Sequence, residues 1–345
     1  MKVLVTGGLG FIGSHVVVEL QERGHEVVII DDLSNSSEKV LKQITSITGI
    51  EPEFEKLDLR SKEDVSYFFK KNKDIENVIH FAASKAVGES VARPLDYYEN
   101  NITALVYLLN NIKRRNTKFI FSSSCTVYGQ ADELPVSEDA PVKPAESPYG
   151  NTKQIGEEII RDLCNAMPNL NAIALRYFNP IGSHQSAKIG ELPLGTPQNL
   201  VPYITQTGIG LREQLSVYGD DYPTKDGTAI RDYIHVVDLA KAHVVALERL
   251  ESGKNETNLE TFNIGTGTGS TVMEVVRTFE EVSGKPLNYK IVDRRAGDIT
   301  AAYAQTDRAN NVLGWKAKST LKEALESAWN WEQYVRSDAY KKKQL

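Results

Sequence analysis

The sequence predicts an α/β fold, a doubly wound parallel sheet followed by a smaller α/β lobe. Three observations carry that expectation. Short β-branched runs alternate with helix-period segments over the first 180 residues. The first run leads straight into Gly7, Gly10 and Gly13. After Asn179-Pro180 the rhythm breaks, and residues 181 to 230 are rich in Gly, Pro and polar side chains. Strands buried on both faces and separated by helices imply right-handed βαβ units and a parallel sheet. Ligand in such a sheet is expected at the carboxyl ends of the strands.

The elements follow in order. Lys2-Val3-Leu4-Val5 reads as a buried strand. Residues 11 to 23 read as a helix with Ile12, Val16 and Leu20 on one face and Gly24 as its terminator. Val27 to Asp31 is a second strand, and further strands fit Pro52 to Asp58, Asn77 to Ala82, Lys118 to Ser123 and Asn171 to Arg176. Helical patterns fill residues 61 to 72, 95 to 115 and 148 to 166. Beyond residue 180 a short apolar segment spans Leu200 to Ile204, and structure resumes at Tyr233 to Val237. Helices are expected near 238 to 251, 271 to 283 and 320 to 335, with a strand near 288 to 292. One or two of these segments are expected to return to the sheet.

Bulk properties exclude several classes. At 345 residues, with 41% hydrophobic and 25% charged residues, the chain reads as an ordinary globular protein of two lobes. A net charge of −6 argues against a nucleic-acid surface. The chain has two cysteines, Cys125 and Cys164, which suit a reducing cytosol and read as small buried residues. The six histidines, at 15, 25, 80, 184, 235 and 243, form no tetrahedral set with them, so no metal is expected. The opening apolar run lacks the features of a signal peptide, and no apolar run approaches the ~18 residues of a membrane span. Cytoplasm is the expected location. The tail Lys341-Lys342-Lys343 reads as a solvated terminus.

The glycine loop points to a dinucleotide. Gly7 allows a tight turn, Gly10 a close backbone approach to pyrophosphate, and Gly13 close packing of helix on strand. The helix start supplies N–H groups and a positive dipole end. The second strand ends in Asp31-Asp32, where a carboxylate suits an adenosine ribose and repels a 2′-phosphate. NAD rather than NADP is expected, in a Rossmann-like domain.

Ser124, Tyr149 and Lys153 point to proton-coupled hydride transfer at a carbon bearing a hydroxyl. Ser147 and Pro148 suit an N-cap and first helical residue, which makes Tyr149 and Lys153 i and i+4 neighbours on one face. A free tyrosine, with a pKa near ~10, is a poor base at neutral pH. A nearby ammonium and a nicotinamide cation would favour its phenolate. Ser124 ends a strand of the same sheet and can share the substrate oxygen's hydrogen bonds.

These residues resemble the extended short-chain dehydrogenase/reductase family, most closely its UDP-hexose 4-epimerase branch. The resemblance covers nearly the whole chain. It rests on Val3 to His15, His80 to Ala82, Lys85 to Ser90, Phe119 to Gly129, Arg176 to Pro180, Asn199-Leu200, Arg231 to Val236 and Arg294 to Asp298. It implies an isomerase with bound NAD that interconverts UDP-glucose and UDP-galactose through a transient 4-keto sugar, Tyr149 being the base. It implies residues 1–180 as the NAD-binding domain and 181–345 as the UDP-sugar-binding domain. Cofactor contacts implied beyond the glycine loop are Phe11, Ile12, Asp31, Asp32, Leu33, Ser34, Asn35, Ser36, Asp58, Leu59, Phe81, Ala82, Ala83, Lys85, Asn100 and Phe178, with Ser124, Tyr149 and Lys153. Substrate contacts implied are Lys85, Ser124, Tyr149, Asn179, Asn199, Leu200, Tyr218, Arg231, Arg295 and Asp298. Relatives pair as homodimers through two helices per subunit, here those near 95 to 115 and 148 to 166. Leu95, Ile102, Leu105, Leu108 and Leu109 on the first leave inward and outward faces open.

Within the resemblance, Ala302 lines up with the position that gates the hexose pocket. A large aromatic there would crowd a 2-acetamido group, whereas alanine leaves room. Activity on UDP-N-acetylglucosamine and UDP-N-acetylgalactosamine is therefore expected as well. A 4,6-dehydratase would carry an Asp-Glu pair after the serine, where this chain has Cys125 and Thr126. A UDP-uronate 4-epimerase or nucleotide-sugar decarboxylase shares the core triad and stays an alternative. A non-catalytic redox-sensing module would lack the tyrosine or the lysine.

Overall fold

The computed structural model describes residues 1–113, 116–295, 298–337 and 340. Its central sheet is built from β1 (Lys2–Thr6), β2 (Glu26–Asp31), β3 (Glu53–Lys56), β4 (Asn77–His80), β5 (Lys118–Ser124), β6 (Asn171–Tyr177) and β11 (Leu259–Ile264). Every pairing is parallel, in the order β11-β6-β5-β4-β1-β2-β3. The chain winds outward from the β1/β4 boundary in both directions. Such a reversal opens a crevice at the carboxyl ends of these two strands.

Side-chain alternation explains why the sheet has two dry faces. Val3 and Val5 face one core with Ile29, Ile79, Ile120 and Ile173. Leu4 faces the other with Val28, Ile30, Val78 and Phe119. A strand apolar at every position fits only between two layers. Helices α1 (Phe11–Glu22), α2 (Lys39–Thr48) and α9 (Val236–Glu251) cover the first face, using Val16, Leu20, Ile44, Leu239 and Leu247. Helices α3 (Lys62–Lys71), α6 (Ala104–Ile112) and α7 (Pro148–Ala166) cover the second, using Val65, Phe68, Leu105, Leu108 and Ile160. Both β11 and α9 come from beyond residue 180, yet they complete the sheet and its cover layer.

A second core joins α8 (Leu200–Gly208), α10 (Val272–Ser283) and α11 (Leu321–Arg336) to the parallel pair β8 (Leu215–Tyr218) and β13 (Tyr289–Val292). Small ladders line the crevice between the cores. β7 (Asn179–Ile181) pairs with β10 (Tyr233–His235), and β9 (Ile230–Arg231) lies between β12 (Ser270–Thr271) and β14 (Ala301–Ala302). Capping boxes at Thr271 and Thr320 start α10 and α11.

Several boundaries differ from the sequence reading. β3 is shorter than Pro52 to Asp58, since it is an edge strand and Pro52 has no N–H to give a ladder. The expected helix over 95 to 115 is three pieces, α5 (Pro94–Tyr98), a wide π turn Glu99–Thr103, and α6. The wide turn falls where Asn101 bonds Ser84 and Thr152. Residues 114 and 115 of that expected helix lie outside the described residues, as do Ala296, Gly297 and the Lys341–Lys343 tail. α2 and α4 (Val87–Ala92) have no counterpart in the sequence reading, and the segment at Leu200 is a full helix rather than a short apolar stretch. Leu105, Leu108 and Leu109 face the monomer's own core, whereas Leu95 is 77% exposed. No helix among the described residues is long and apolar enough to cross a membrane.

Candidate active site

The glycine loop closes on the sheet with almost no spare volume. Gly7 takes φ +68° and donates its N–H to the Ile30 carbonyl at 2.7 Å. A Cβ at Gly7 would lie 2.8 Å from the Ala82 nitrogen, and one at Gly13 only 2.3 Å from the Gly7 carbonyl oxygen. Side chains at these positions would displace backbone, at a cost of roughly 1–3 kcal/mol each. Gly10 is less confined, with the Gly7 oxygen at 3.2 Å. It is the N-cap of α1 without a side-chain cap, so the N–H groups of Phe11, Ile12 and Gly13 start a helix turn with no intrahelical acceptor.

Asp31 does more than end a strand. Its carboxylate accepts from the Leu9 and Leu33 N–H groups, each at 3.0 Å, and from Ser36 Oγ at 2.7 Å. It ties the glycine loop to the turn after β2, where Leu33 takes φ +64°. Asp32 accepts from the N–H and hydroxyl of Ser34 at 2.9 and 2.6 Å. Asn35 is exposed beside them. Asp58 receives the Arg60 guanidinium at 2.7 to 3.0 Å, and that hydrogen bond holds its carboxyl below the usual range. Leu59 is buried. A cleft of about 300 Å³ is lined by Asp32, Ser34, Arg60, Ser84 and Asn100, among others. Asn100 donates to Ser84 Oγ at 3.2 Å. Phe81 and Ala82 leave β4 beside the loop, with Ala83 following, and Phe178 is buried directly after β6.

Ser124, Tyr149 and Lys153, the residues expected to react, lie together at the end of β5. Ser147 Oγ accepts from the Gly150 N–H at 3.1 Å, which starts α7 and fixes the turn bearing Tyr149 and Lys153. Tyr149 is buried beside Ser124, whose hydroxyl favours the phenolate and itself accepts from the Thr126 N–H at 3.2 Å. Lys153 Nζ donates to the Ser122 carbonyl at 2.7 Å and stands 5.9 Å from the Tyr149 ring centre. Burial pushes the Tyr149 phenol well above its ordinary range, with Tyr177 adding to the rise and Ser124 opposing it. Burial likewise lowers the Lys153 ammonium to about 8, against the pull of Glu157. Desolvation therefore dominates both groups in the protein alone. The expected favouring of the phenolate needs the nicotinamide cation as well as the ammonium, and in the protein alone burial is the largest influence on Tyr149.

Across the crevice, charged groups hold one another. Arg231 pairs with Asp298, and its Nη1 donates to the Ile230 carbonyl at 2.7 Å. Arg295 stacks on the Tyr218 ring at 4.3 Å. Asn179 hangs on Asp232 through N–H to carbonyl at 2.9 Å. Asn199 and Leu200 begin α8, and Asn199 shares the Glu191 carboxylate with Lys85. Ala302 on β14 packs with Val127, Tyr128 and Phe178.

The chain matches known proteins over nearly its whole length. The model of the NAD dependent epimerase/dehydratase family matches residues 3–265. A UDP-glucose 4-epimerase of Bacillus subtilis is 50% identical over 333 residues, covering 96% of this chain and 97% of that protein. The chain belongs to the NAD dependent epimerase/dehydratase family. Its fold superposes with a TM-score of 0.93 on a Stenotrophomonas maltophila UDP-glucose 4-epimerase with bound NAD and formylated UDP-arabinopyranose (45% identity, 97% of this chain and 98% of that one). A UDP-Glc/GlcNAc 4-epimerase from Campylobacter jejuni matches with a TM-score of 0.83 at 35% identity, over 96% and 99% of the two chains.

The family's cofactor is NAD, and this chain's residues fit it. The loop cradle excludes any Cβ at Gly7 and Gly13, leaves helix N–H groups free, and ends β2 in two carboxylates. Among the described residues no cluster of His, Cys, Asp or Glu has the arrangement to hold a metal. Sequence reasoning missed three residues at this epimerase-family site. Tyr177 hydrogen-bonds Ser122 Oγ at 2.7 Å near Tyr149, inside the stretch Arg176 to Pro180 that carries the resemblance and in which only Phe178 and Asn179 are given a role. Glu157 is one helical turn past Lys153, accepts from Ser123 at 2.6 Å and grips Arg176 at 2.6 and 2.9 Å. A charged residue on the apolar side of α7 was the signal. Glu191 lies in an irregular loop, where no sequence signal marks it.

Proposed function

We propose that this protein epimerises C4 of UDP-hexoses, interconverting UDP-glucose and UDP-galactose with NAD retained. One observation carries the reading: Ser124, Tyr149 and Lys153 converge at the end of β5, beside a glycine cradle shaped for a dinucleotide. Tyr149 takes the proton of the sugar 4-hydroxyl and later returns it, with Ser124 holding the same oxygen. When bound, NAD would supply a reversible acceptor for the C4 hydride, and its positive ring would favour the Tyr149 phenolate that burial alone disfavours. The C4–H and O–H bonds break together to leave a 4-keto sugar. They re-form after the hexose presents its other face, so no oxidant is consumed.

The grip falls on the nucleotide. Arg231 and Arg295 suit a diphosphate because a planar fork can bond two oxygens. Asn179, Asn199, Leu200, Tyr218 and Asp298 surround the same crevice, with Lys85 between cofactor and sugar. We assign residues 1–180, with α9 and β11, to NAD and the remainder to the UDP-sugar. Ala302 leaves room for a 2-acetamido group, so the N-acetylated sugars are substrates too. The Campylobacter relative's name, which pairs Glc with GlcNAc, supports that extension. Relatives named for UDP-glucose favour this reading over a uronate substrate. We further propose a cytoplasmic homodimer through the helices near 95 to 115 and 148 to 166, α5, α6 and α7, on which Leu95 stands exposed.

The test is a coupled assay without added NAD, on UDP-galactose and UDP-N-acetylgalactosamine side by side, for the wild type and Ala302→Tyr. The wild type is expected to convert both. Ala302→Tyr should lower kcat/KM for the acetylated sugar about tenfold or more, and change the plain sugar less than about threefold. No conversion by the wild type, even with NAD supplied, overturns the reaction. An unchanged rate on the acetylated sugar in the variant overturns only the pocket argument.

A further inference from the structure

Glu191 belongs to no motif, yet it joins two site residues carried by different parts of the fold. Its Oε1 accepts from the Lys85 ammonium at 3.1 Å and from the Asn199 Nδ2 at 2.8 Å. Lys85 leaves the end of β4 in the central sheet, whereas Asn199 is the N-cap of α8 in the second core. The Lys85 ammonium also stands 5.8 Å from the centre of the Phe11 ring, at the glycine loop. The Glu191 side chain is only 12% exposed, although Lys85 is 45% exposed. The loop itself is anchored independently, because the Glu191 main-chain carbonyl accepts from Trp331 Nε1 at 2.9 Å. The carboxylate is therefore free to serve the site.

We propose that Glu191 is a positioning residue that clamps Lys85 and Asn199 across the crevice, so that contacts from the two cores act on the nucleotide-sugar as one unit. The inference rests on the reaction proposed above. Two consequences follow from donor and acceptor chemistry. The carboxylate takes the Asn199 NH₂, which leaves the amide oxygen as the acceptor a sugar hydroxyl needs. It also neutralises Lys85, so the ammonium meets phosphate oxygens and ribose from a fixed place rather than as a free charge. A lone exposed ion pair would do neither and would contribute little.

The test uses the NAD-loaded full chain, with UDP-galactose kinetics and calorimetric titration of UDP. Glu191→Ala is expected to raise the UDP-galactose KM and the UDP Kd about tenfold, with kcat within about threefold of wild type. Glu191→Gln keeps an acceptor for Asn199 but drops the charge facing Lys85, and should cost about threefold in both. Lys85→Met and Asn199→Ala should combine to less than the product of their single effects when Glu191 is present, and multiply in the Glu191→Ala background. KM and Kd within twofold of wild type in Glu191→Ala, with an unchanged melting temperature, overturn the clamp, as do multiplying effects in both backgrounds. A wild type inactive on UDP-galactose instead sinks the epimerase reading, and the UDP titrations then decide the clamp on their own.

Discussion

The wall that carries Tyr149 and the wall that carries Arg231 are built on opposite plans. The first is a strand end and a helix start, with Ser124, Tyr149 and Lys153 buried and with Ser124 and Lys153 bonded to nearby backbone. The second is a set of short ladders and loops on which Arg231 is held by Asp298 and Arg295 by the Tyr218 ring. Precise placement of a proton acceptor needs rigid elements. A diphosphate grip needs charges that can trade protein partners for phosphate oxygens. The difference fits an enzyme that holds its nucleotide firmly while the hexose turns over.

The sharpest way to break that comparison is at the rigid wall. Tyr149→Phe keeps the ring's packing and removes only the hydroxyl, so the melting temperature should barely move. The kcat for UDP-galactose should fall by about 10²–10⁴, the usual worth of a positioned base. A variant keeping a tenth of wild-type kcat would mean that the proton leaves by another route.

A smaller effect is expected at the adaptable wall. Arg231→Lys keeps the charge and loses the planar fork that now engages Asp298 and the Ile230 carbonyl. The KM for UDP-galactose should rise about tenfold while kcat stays within about threefold. A matching loss of kcat would show that Arg231 acts on the reacting carbon, and the division between the walls would fail.

The two walls were unequally legible in the sequence. The rigid wall is local: Ser147, Pro148, Tyr149 and Lys153 occupy one helix start, where capping chemistry and the i, i+4 spacing place them. The first six sheet strands were legible from their short runs between helical segments, with glycines after the first, whereas β11 had no counterpart in that reading. The adaptable wall depends on contacts between distant segments. Glu191 bonds Lys85 from 106 residues away, and β11 reaches β6 only after α8, β8 and α9 have intervened in the chain. No periodicity encodes such meetings. The π turn at Glu99–Thr103 was hidden likewise, because its companions, Ser84 and Thr152, lie in other elements.

The smallest effect sharpens the comparison by pH. Burial lowers Lys153 to about 8, while Glu157 opposes that fall. The ammonium is the form that donates to the Ser122 carbonyl beside Tyr149, so activity should decline as pH rises through this value. Between pH 7.5 and 8.5 the decline should be about threefold. Glu157→Gln should move the limb to lower pH, because it removes the charge that favours the ammonium. Stability runs the other way. The folded pKa lies below the ordinary 10.5, so between about 8 and 10.5 the unfolded chain binds more protons at this group. This lysine then makes the fold more stable as pH rises through that window, and the cost of burying its charge is felt below it. A pH–rate profile with parallel thermal melts separates the two: activity lost above pH 8 without loss of this group's stabilising trend assigns the limb to Lys153. An alkaline limb that stays in place in Glu157→Gln would assign it to another group.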